Sequence, residues 1–430
     1  MAVRVIEPSN VLRLAGALSC LLAAQLDWPG GWSQLRSLLM GAALLILPID
    51  ALPGVVVMTV RNSEMVLGPM HPGDIVAIVY LARLALRSEI LDFRFSPSRF
   101  ALVAFLVWSA FATVLTGDGL VSSLGHIGLY AAVGVGVALR WRARAWLLAG
   151  VVGFALTEVV LYLPHAPARF SGVFVDDPSQ MGALIIAALL VVAASALSSG
   201  LKIPLVGLLA FGILMTQTRS IWFAGVIVII VAVLPRRWYI PLVVPPAIAA
   251  LSFPFMTFVT DRFGLNPESG GLRLRSMSVG LHEFKEAPFS GHGWAFPSAV
   301  DKFGLAGHNE MPMYNLWIYL GVCVGLVGIT IFVVYVAFLA RAGINDSVAY
   351  LFLAATLATS LSELHFYGCS LSALLFLVLT PVPAQGAPSA QGAPSRRAAT
   401  SSMRSRATAK TLGDAGSGSG AGMRRLAAES

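Results

Sequence analysis

Only 12% of the 430 residues are charged, 57% are hydrophobic, and the net charge is +8. A soluble chain usually carries about 25% charged residues, and a mean hydropathy of +0.80 excludes a single soluble globular domain. The apolar residues come in blocks of about 20, the length that crosses the hydrocarbon of a bilayer. The composition therefore predicts a polytopic helical membrane protein.

The breaks between the apolar blocks predict an all-α transmembrane helical bundle with 12 or 13 spans. Proline and glycine interrupt the first two blocks, which are the weakest of the set. In chain order the predicted helices cover residues 11–26, 36–50, 73–86, 99–116, 121–139, 145–162, 180–197, 203–217, 220–234, 240–257, 313–340, 347–362 and 366–383.

Most of the positive charge belongs to the C-terminal segment. We predict a transmembrane helical domain over residues 1–383 and a disordered, basic, cytoplasmic tail over 384–430, which is rich in Ala, Gly, Ser and Pro. The tail contains seven basic and two acidic residues, so it holds five of the eight net positive charges. Basic segments beside a membrane are typical of the cytoplasmic side. We therefore expect contact with the membrane and no nucleic-acid partner.

With the tail in the cytoplasm, alternation of the spans also places the most basic short loops inside. Five arginines then fall on the outer side, against the usual bias. Such an arginine is either a helix-end side chain that snorkels to the surface or pairs with Glu158 or Asp261, or part of a site for an anion presented from the outer leaflet. Their recurrence favours the anion site. The five are Arg169, Arg219, Arg262, Arg273 and Arg275.

Residues 258–312 form one long outer (periplasmic) loop, and loops of this length usually carry function. Apolar spacing predicts an amphipathic helix over 271–286, lying along the membrane, with Arg273 and Arg275 in its first turns. Ala287-Pro288 ends this helix, and a glycine-rich turn, 291–294, follows it.

The histidines of the loop raise the question of a metal. His282, His292 and His308 are separated by 10 and 16 residues, which does not match a helical i, i+4 ligand pair, and no cysteine joins them. We therefore predict no metal site and no cofactor. His308 is either an interface or capping residue or a general base, because neutral imidazole can take a proton from a hydroxyl near neutral pH.

Four segments in the second half of the chain resemble the bacterial O-antigen ligase / O-antigen polymerase superfamily of integral membrane glycosyltransferases. The resemblance covers roughly residues 160–340. The segments are Arg169-Phe-Ser-Gly172 leading to Pro178, Thr218-Arg219-Ser220 at a helix start, Arg275 followed by Gly291-His-Gly293, and His308-Asn309 ahead of the glycine-bearing helix 320–328.

This resemblance implies a multi-pass protein of the bacterial inner membrane. It would transfer a glycan from an undecaprenyl-diphosphate carrier to a glycan or lipid acceptor at the outer face, with inversion and without a metal. Ligases and polymerases share this donor chemistry, so the resemblance covers both. Implied site residues are His308 as catalytic base, Arg219, Arg273 and Arg275 for the diphosphate, and Arg169, Gly291, Gly293 and Asn309 for substrate contacts.

Two other function classes stay open at this point. The first is a polytopic transporter or lipid-linked glycan flippase, which typically has intramembrane acids and inverted repeats. Here the intramembrane acids are few, among them Asp50, Glu158 and Glu363, and no half-to-half repeat is evident. The second is a membrane scaffold, which would account for the basic tail but not for the outer arginines.

Overall fold

A computed structural model describes residues 33–59, 72–87, 96–115, 123–171, 178–250, 267–294 and 315–361, and a few residues between 13 and 20. Every regular element in these ranges is helical, and no strand occurs among them. The prediction of an all-α protein is confirmed for this part of the chain. The chain divides into two units, Met1–Pro383 and Ala384–Ser430. The second unit lies outside the described residues, so the predicted tail stays a prediction.

The described helices follow the predicted order closely. Short 3-10 turns, Ile49–Ala51 and Leu163–His165, accompany them. The helices are α1 (Ser33–Ile46), α2 (Leu52–Thr59), α3 (Pro72–Leu86), α4 (Pro97–Leu115), α5 (Ser123–Leu139), α6 (Trp141–Tyr162), α7 (Pro178–Ala194), α8 (Ser199–Met215), α9 (Arg219–Val233), α10 (Ile240–Ala250), α11 (Pro267–Glu286), α12 (Leu316–Gly343) and α13 (Ser347–Thr359).

Several helices have the length and composition of membrane spans. Within the described ranges, three are long and apolar enough to cross a bilayer: Pro97–Leu115, Arg142–His165 and Leu316–Gly343. A bent pair of helices adds a fourth candidate, and six further apolar helices have 10–17 residues. The total of 12 or 13 spans stays a prediction.

The second predicted helix, 36–50, is wrong as a single element. The chain bends by 117° between Leu38–Ile46 and Ile49–Thr59. Pro48 has no N–H to donate to the carbonyl of Leu44, so the helix cannot continue through it. The Arg83 side chain of α3 instead donates to the carbonyl oxygens of Leu44 and Leu47, at 3.2 and 2.7 Å. An arginine from a neighbouring helix thus satisfies the carbonyls that the bend exposes.

Helices α2 and α6 approach each other through glycine. A Cβ atom added to Gly150 would lie 2.6 Å from the carbonyl oxygen of Gly54 and 2.7 Å from its Cα. Real Cβ atoms do not approach backbone this closely, so the two helices would have to separate. On the same helix, an added Cβ on Gly153 would meet nothing within 4 Å.

We expect Gly150→Ala to lower the free energy of unfolding by about 1–3 kcal/mol through overpacking. Gly153→Ala, the matched control, should be neutral or slightly stabilising, because alanine favours helix over glycine. Thermal unfolding of both variants in the same detergent checks this. Equal midpoints for the two variants would show that α2 and α6 do not pack in this way.

Polar contacts gather three basic loops at one end of the bundle. Arg144 pairs with Asp346, and Arg236 donates to the Ser347 hydroxyl at 2.7 Å. The Tyr350 hydroxyl donates to the carbonyl of Arg237 at 2.8 Å. The loops around 140–144, 236–237 and 341–347 therefore share one end, in agreement with the predicted sidedness. That this end faces the cytoplasm stays a prediction.

Candidate functional site

The first candidate group lies where α6 ends and α9 begins, away from the basic loops. In this group Arg169 contacts the link between α8 and α9. Its Nε donates to the Thr216 carbonyl oxygen at 3.3 Å, and its Nη2 lies 3.5 Å from the Thr218 hydroxyl. The backbone N–H of Phe170 donates to the Met215 carbonyl at 2.8 Å. These contacts hold Arg169 beside the residue that precedes Arg219, so two predicted site residues lie at one short link.

The link itself is built for a sharp turn. Gln217 has a φ of 50°, in the left-handed region that non-glycine residues rarely adopt. Thr218 then returns to extended backbone, with φ −104° and ψ 115°, and is the N-cap of α9. This geometry makes Arg219 the first residue of the helix.

Arg219 is exposed at the N-terminus of α9 and forms no hydrogen bond or ion pair with another described residue. Pairing with Glu158 was one explanation for its position, but Glu158 is fully buried and no ion pair joins the two within the described ranges. Asp261, the other predicted partner, lies outside the described residues. A helix N-terminus carries partial positive charge, so guanidinium and helix dipole both favour an anion here.

The amphipathic helix predicted over 271–286 is confirmed as α11, which begins four residues earlier, at Pro267, and ends at Glu286. Arg273 and Arg275 lie on its N-terminal half. The Phe284 ring contacts α12, where a Cβ added to Gly321 would lie 3.1 Å from its Cδ2 atom.

After α11 the chain docks onto a break in α12. Gly325 has φ 64° and ψ −171°, which interrupts the helix. The turn after α11 supplies the backbone partners that the break requires. His292 N donates to Val322 O at 2.7 Å, Gly293 N to Cys323 O at 2.9 Å, and Leu326 N to Pro288 O at 2.7 Å. A buried backbone group without a partner is costly, so turn and break stabilise each other.

Two glycines make this docking possible. A Cβ on Gly291, whose φ is 71°, would lie 2.5 Å from the carbonyl oxygen of Cys323. A Cβ on Gly325 would lie 2.2 Å from the carbonyl oxygen of Phe289. We expected Gly291 and Gly293 to let the loop approach the carrier, but the close approach described here is to the α12 backbone. Contact of these glycines with a substrate stays a prediction.

One side chain completes the junction. The indole N–H of Trp108, on α4, donates to the carbonyl oxygen of Val324 at 2.8 Å. Val324 is fully buried, so this carbonyl has no access to bulk water.

We expect Trp108→Phe to lower the free energy of unfolding by about 1–3 kcal/mol, the cost of an unsatisfied buried acceptor. The control is Trp238→Phe, since Trp238 is exposed and its indole forms no hydrogen bond with a described residue. Chemical or thermal unfolding of both variants checks the expectation. A Trp108→Phe protein as stable as the control would mean that the Val324 carbonyl finds another partner.

His308 and Asn309 lie outside the described residues, so their roles stay predictions. The Asn315 side chain caps α12 by accepting from the N–H groups of Trp317 and Ile318, at 2.9 and 3.1 Å. Its amide also donates to the carbonyl of Leu361 at 2.8 Å. The chain that follows His308 is thereby held against the end of α13.

Sequence reasoning missed Trp108 and the break at Gly325. The available signal was the spacing Gly321, Gly325 and Gly328 inside an apolar helix, together with Pro288 and the Gly291-His-Gly293 turn. Glycine inside a predicted span marks a close backbone approach or a kink. Nothing local to Trp108 distinguishes it from a membrane-facing tryptophan.

Comparison with known proteins places this region in a family. No curated protein matches the chain. Residues 204–333 match the family model described as O-antigen ligase. The match spans less than a third of the chain, from within α8 to within α12, and includes Arg219, α11 and the docked turn but not Arg169. This match supports the resemblance of the segment to the O-antigen ligase/polymerase superfamily of membrane proteins, a family that implies a glycosyltransferase-like enzyme of glycan biosynthesis.

Proposed function

We propose that this protein transfers a glycan from an undecaprenyl-diphosphate carrier to a glycan or lipid acceptor, at the outer face of the bacterial inner membrane. The observation that carries the proposal is the exposed Arg219 at the N-terminus of α9, braced by Arg169 and lying inside the segment that matches the O-antigen ligase family. A diphosphate-linked lipid is an anion presented at the membrane surface, which suits such a group.

The reaction is a single displacement. An acceptor hydroxyl oxygen attacks the anomeric carbon, the bond from this carbon to the diphosphate oxygen breaks, and the configuration inverts. His308 takes the hydroxyl proton. The departing diphosphate gains negative charge, which Arg219 stabilises together with Arg273 or Arg275 through charge-assisted hydrogen bonds. No step requires a metal.

The substrate contacts follow from the same arrangement. Arg169 holds the link that carries Arg219, and it contributes a second positive charge to the bound diphosphate. Asn309, next to the base, contacts the acceptor. The turn with Gly291 and Gly293 attaches the C-terminal end of α11 to α12. The helix that carries Arg273 and Arg275 is therefore held to the bundle at one end.

The test uses the full chain purified into nanodiscs with an undecaprenyl-diphosphate oligosaccharide. One arm supplies the same lipid-linked glycan as acceptor, and the other supplies a lipid-core acceptor. Chain growth in the first arm would indicate a polymerase, and transfer in the second a ligase. Whichever product forms should also form in the presence of EDTA. Loss of all transfer in EDTA would contradict the metal-free displacement.

The transporter or flippase alternative gives a different result in a sealed-vesicle version of the same test. A flippase would move the lipid-linked glycan between leaflets without making a new glycosidic bond. Translocation without product in either arm would therefore overturn the proposed transfer.

A further inference from the structure

The C-terminal end of α11 carries two carboxylates. Glu283 and Glu286 both lie in the last turn of this helix, where Lys285 is the basic residue. The C-terminal end of a helix already carries partial negative charge from its free carbonyl groups, so carboxylates are unfavourable there and cations are favourable. Two carboxylates at this position therefore raise the affinity of the helix end for a positive ion.

The docked turn brings an imidazole to the same place. Glu283, Glu286 and His292 each offer one ligand atom, and these atoms lie within 4.8 Å of one another. Nε2 of His292 lies 3.0 Å from the carbonyl oxygen of Glu283. A carbonyl only accepts, so in this hydrogen bond Nε2 carries the proton and Nδ1 carries the lone pair. Histidines that bind metals commonly donate their other N–H to a backbone carbonyl in this way.

We propose that Glu283, Glu286 and His292 bind a divalent transition-metal cation such as Zn²⁺ or Mn²⁺. Two carboxylates with one imidazole are a donor set for these ions, whereas Mg²⁺ and Ca²⁺ prefer oxygen ligands alone. A tetrahedral ion with bonds of about 2.1 Å holds its ligand atoms about 3.4 Å apart. Rotation of side chains at the partly exposed helix end closes the remaining distance.

Such an ion would link the C-terminal end of α11 to the turn that follows it. Glu283 and Glu286 belong to α11, which carries Arg273 and Arg275, and His292 belongs to the turn docked on α12. The ion would restrict the angle between helix and turn. Backbone hydrogen bonds already hold the turn on α12, so the proposed transfer does not require the ion. Nε2 of His282 lies 3.6 Å from Oε1 of Glu286, one turn away on the same helix.

The histidine spacing could not reveal this site, because the partners of His292 are carboxylates and not other histidines. Glu283 and Glu286 are three residues apart on one helix face, and the chain reverses at Ala287-Pro288 to return His292 to them. The expectation of no metal site in this loop considered only histidine and cysteine ligands.

Metal content of the full chain, purified without a polyhistidine tag into nanodiscs, tests the site. Equilibrium dialysis against Zn²⁺ or Mn²⁺, followed by elemental analysis, should give one ion per chain for the unchanged protein. The variants are Glu283→Gln with Glu286→Gln, and His292→Gln alone. The control is His165→Gln, an exposed histidine outside the group.

We expect the affinity to fall at least 10-fold in both ligand variants and to be unchanged in the control. Hydrogen exchange of the amides of Gly291, His292 and Gly293 should slow on metal addition in the unchanged protein only. Equal affinity in all variants, or binding no tighter than that of Mg²⁺ and Ca²⁺, would overturn the proposal. Neither readout depends on glycan transfer, so the metal site and the proposed function can fail independently.

Discussion

Replacing Arg219 with alanine is expected to lower kcat/KM for glycan transfer by about 10²–10³-fold, the range found when one transition-state charge partner is removed. Arg219 is the first residue of α9 and forms no hydrogen bond or ion pair within the described residues. Its loss therefore removes charge at the helix N-terminus without breaking a described contact. The protein should fold and insert normally, so the defect should lie in catalysis.

The controls for this prediction separate charge from position. Arg219→Lys keeps a positive charge but cannot form a two-pronged contact with a diphosphate, so it should recover part of the rate. Arg341→Ala removes an exposed arginine near the other end of the bundle and should leave transfer unchanged.

Arg169→Ala should have a smaller effect than Arg219→Ala. Its loss removes two contacts to the link, although the Thr218 hydroxyl still donates to the Thr216 carbonyl oxygen at 3.0 Å. We expect about a 10-fold decrease in kcat. Donor-dependent kinetics with each variant check all four expectations. Full transfer by Arg219→Ala, in properly inserted protein, would show that this arginine does not stabilise the leaving diphosphate.

The second large effect is expected at the break in α12. Gly325→Ala places a residue with a side chain at φ 64° and ψ −171°, a region that is essentially confined to glycine. The strain costs about 1–3 kcal/mol, and the added Cβ would also lie 2.2 Å from the carbonyl oxygen of Phe289 and 2.7 Å from the N atom of Gly291. The docked turn cannot keep its place against α12.

We therefore expect Gly325→Ala to unfold at a markedly lower temperature, to expose 287–294 to protease and to lose transfer activity. Gly225→Ala in α9 is the matched control, because an added Cβ there meets nothing within 4 Å. Thermal unfolding and limited proteolysis in the same nanodiscs compare the two. Identical protection of 287–294 in both variants would mean that the turn does not depend on the break.

These predictions concern two groups that the proposed function would bring together at one substrate. The Arg169–Arg219 group is held by the ends of α8 and α9, and α11 is held by its turn on α12. Both are anchored by backbone hydrogen bonds to apolar helices. A glycosyltransferase that acts at a membrane surface needs positive charges held in place to stabilise the leaving diphosphate, because water and salt there screen charges that are free to move.

Much of this arrangement could be predicted from the sequence because the signals are local. Hydropathy located the described helices other than α2, the amphipathic spacing located α11 to within four residues of its start, and Ala287-Pro288 located its end. The link Thr216–Arg219 was also recognisable, since an arginine between two apolar helices is costly unless it has a role.

The remainder could not be predicted because it depends on pairs of residues that are distant along the chain. Trp108 meets the carbonyl of Val324 across 216 positions, and Arg83 meets that of Leu47 across 36. Hydrophobic periodicity reports which residues are buried but not which backbone groups need a partner. The bend at Pro48 was visible as an interruption, yet its angle follows from packing.

The sequence by itself determined that this is a helical membrane protein, that basic loops share one end, and that its central segment resembles the O-antigen ligase/polymerase superfamily. Composition, charge and motif order are properties of the chain and need no coordinates. Only the tertiary structure decided that α12 breaks at Gly325 to receive the turn after α11, and that Arg169 braces the link before Arg219. These features depend on satisfying buried backbone groups, and which group lies within reach is set by how the helices pack.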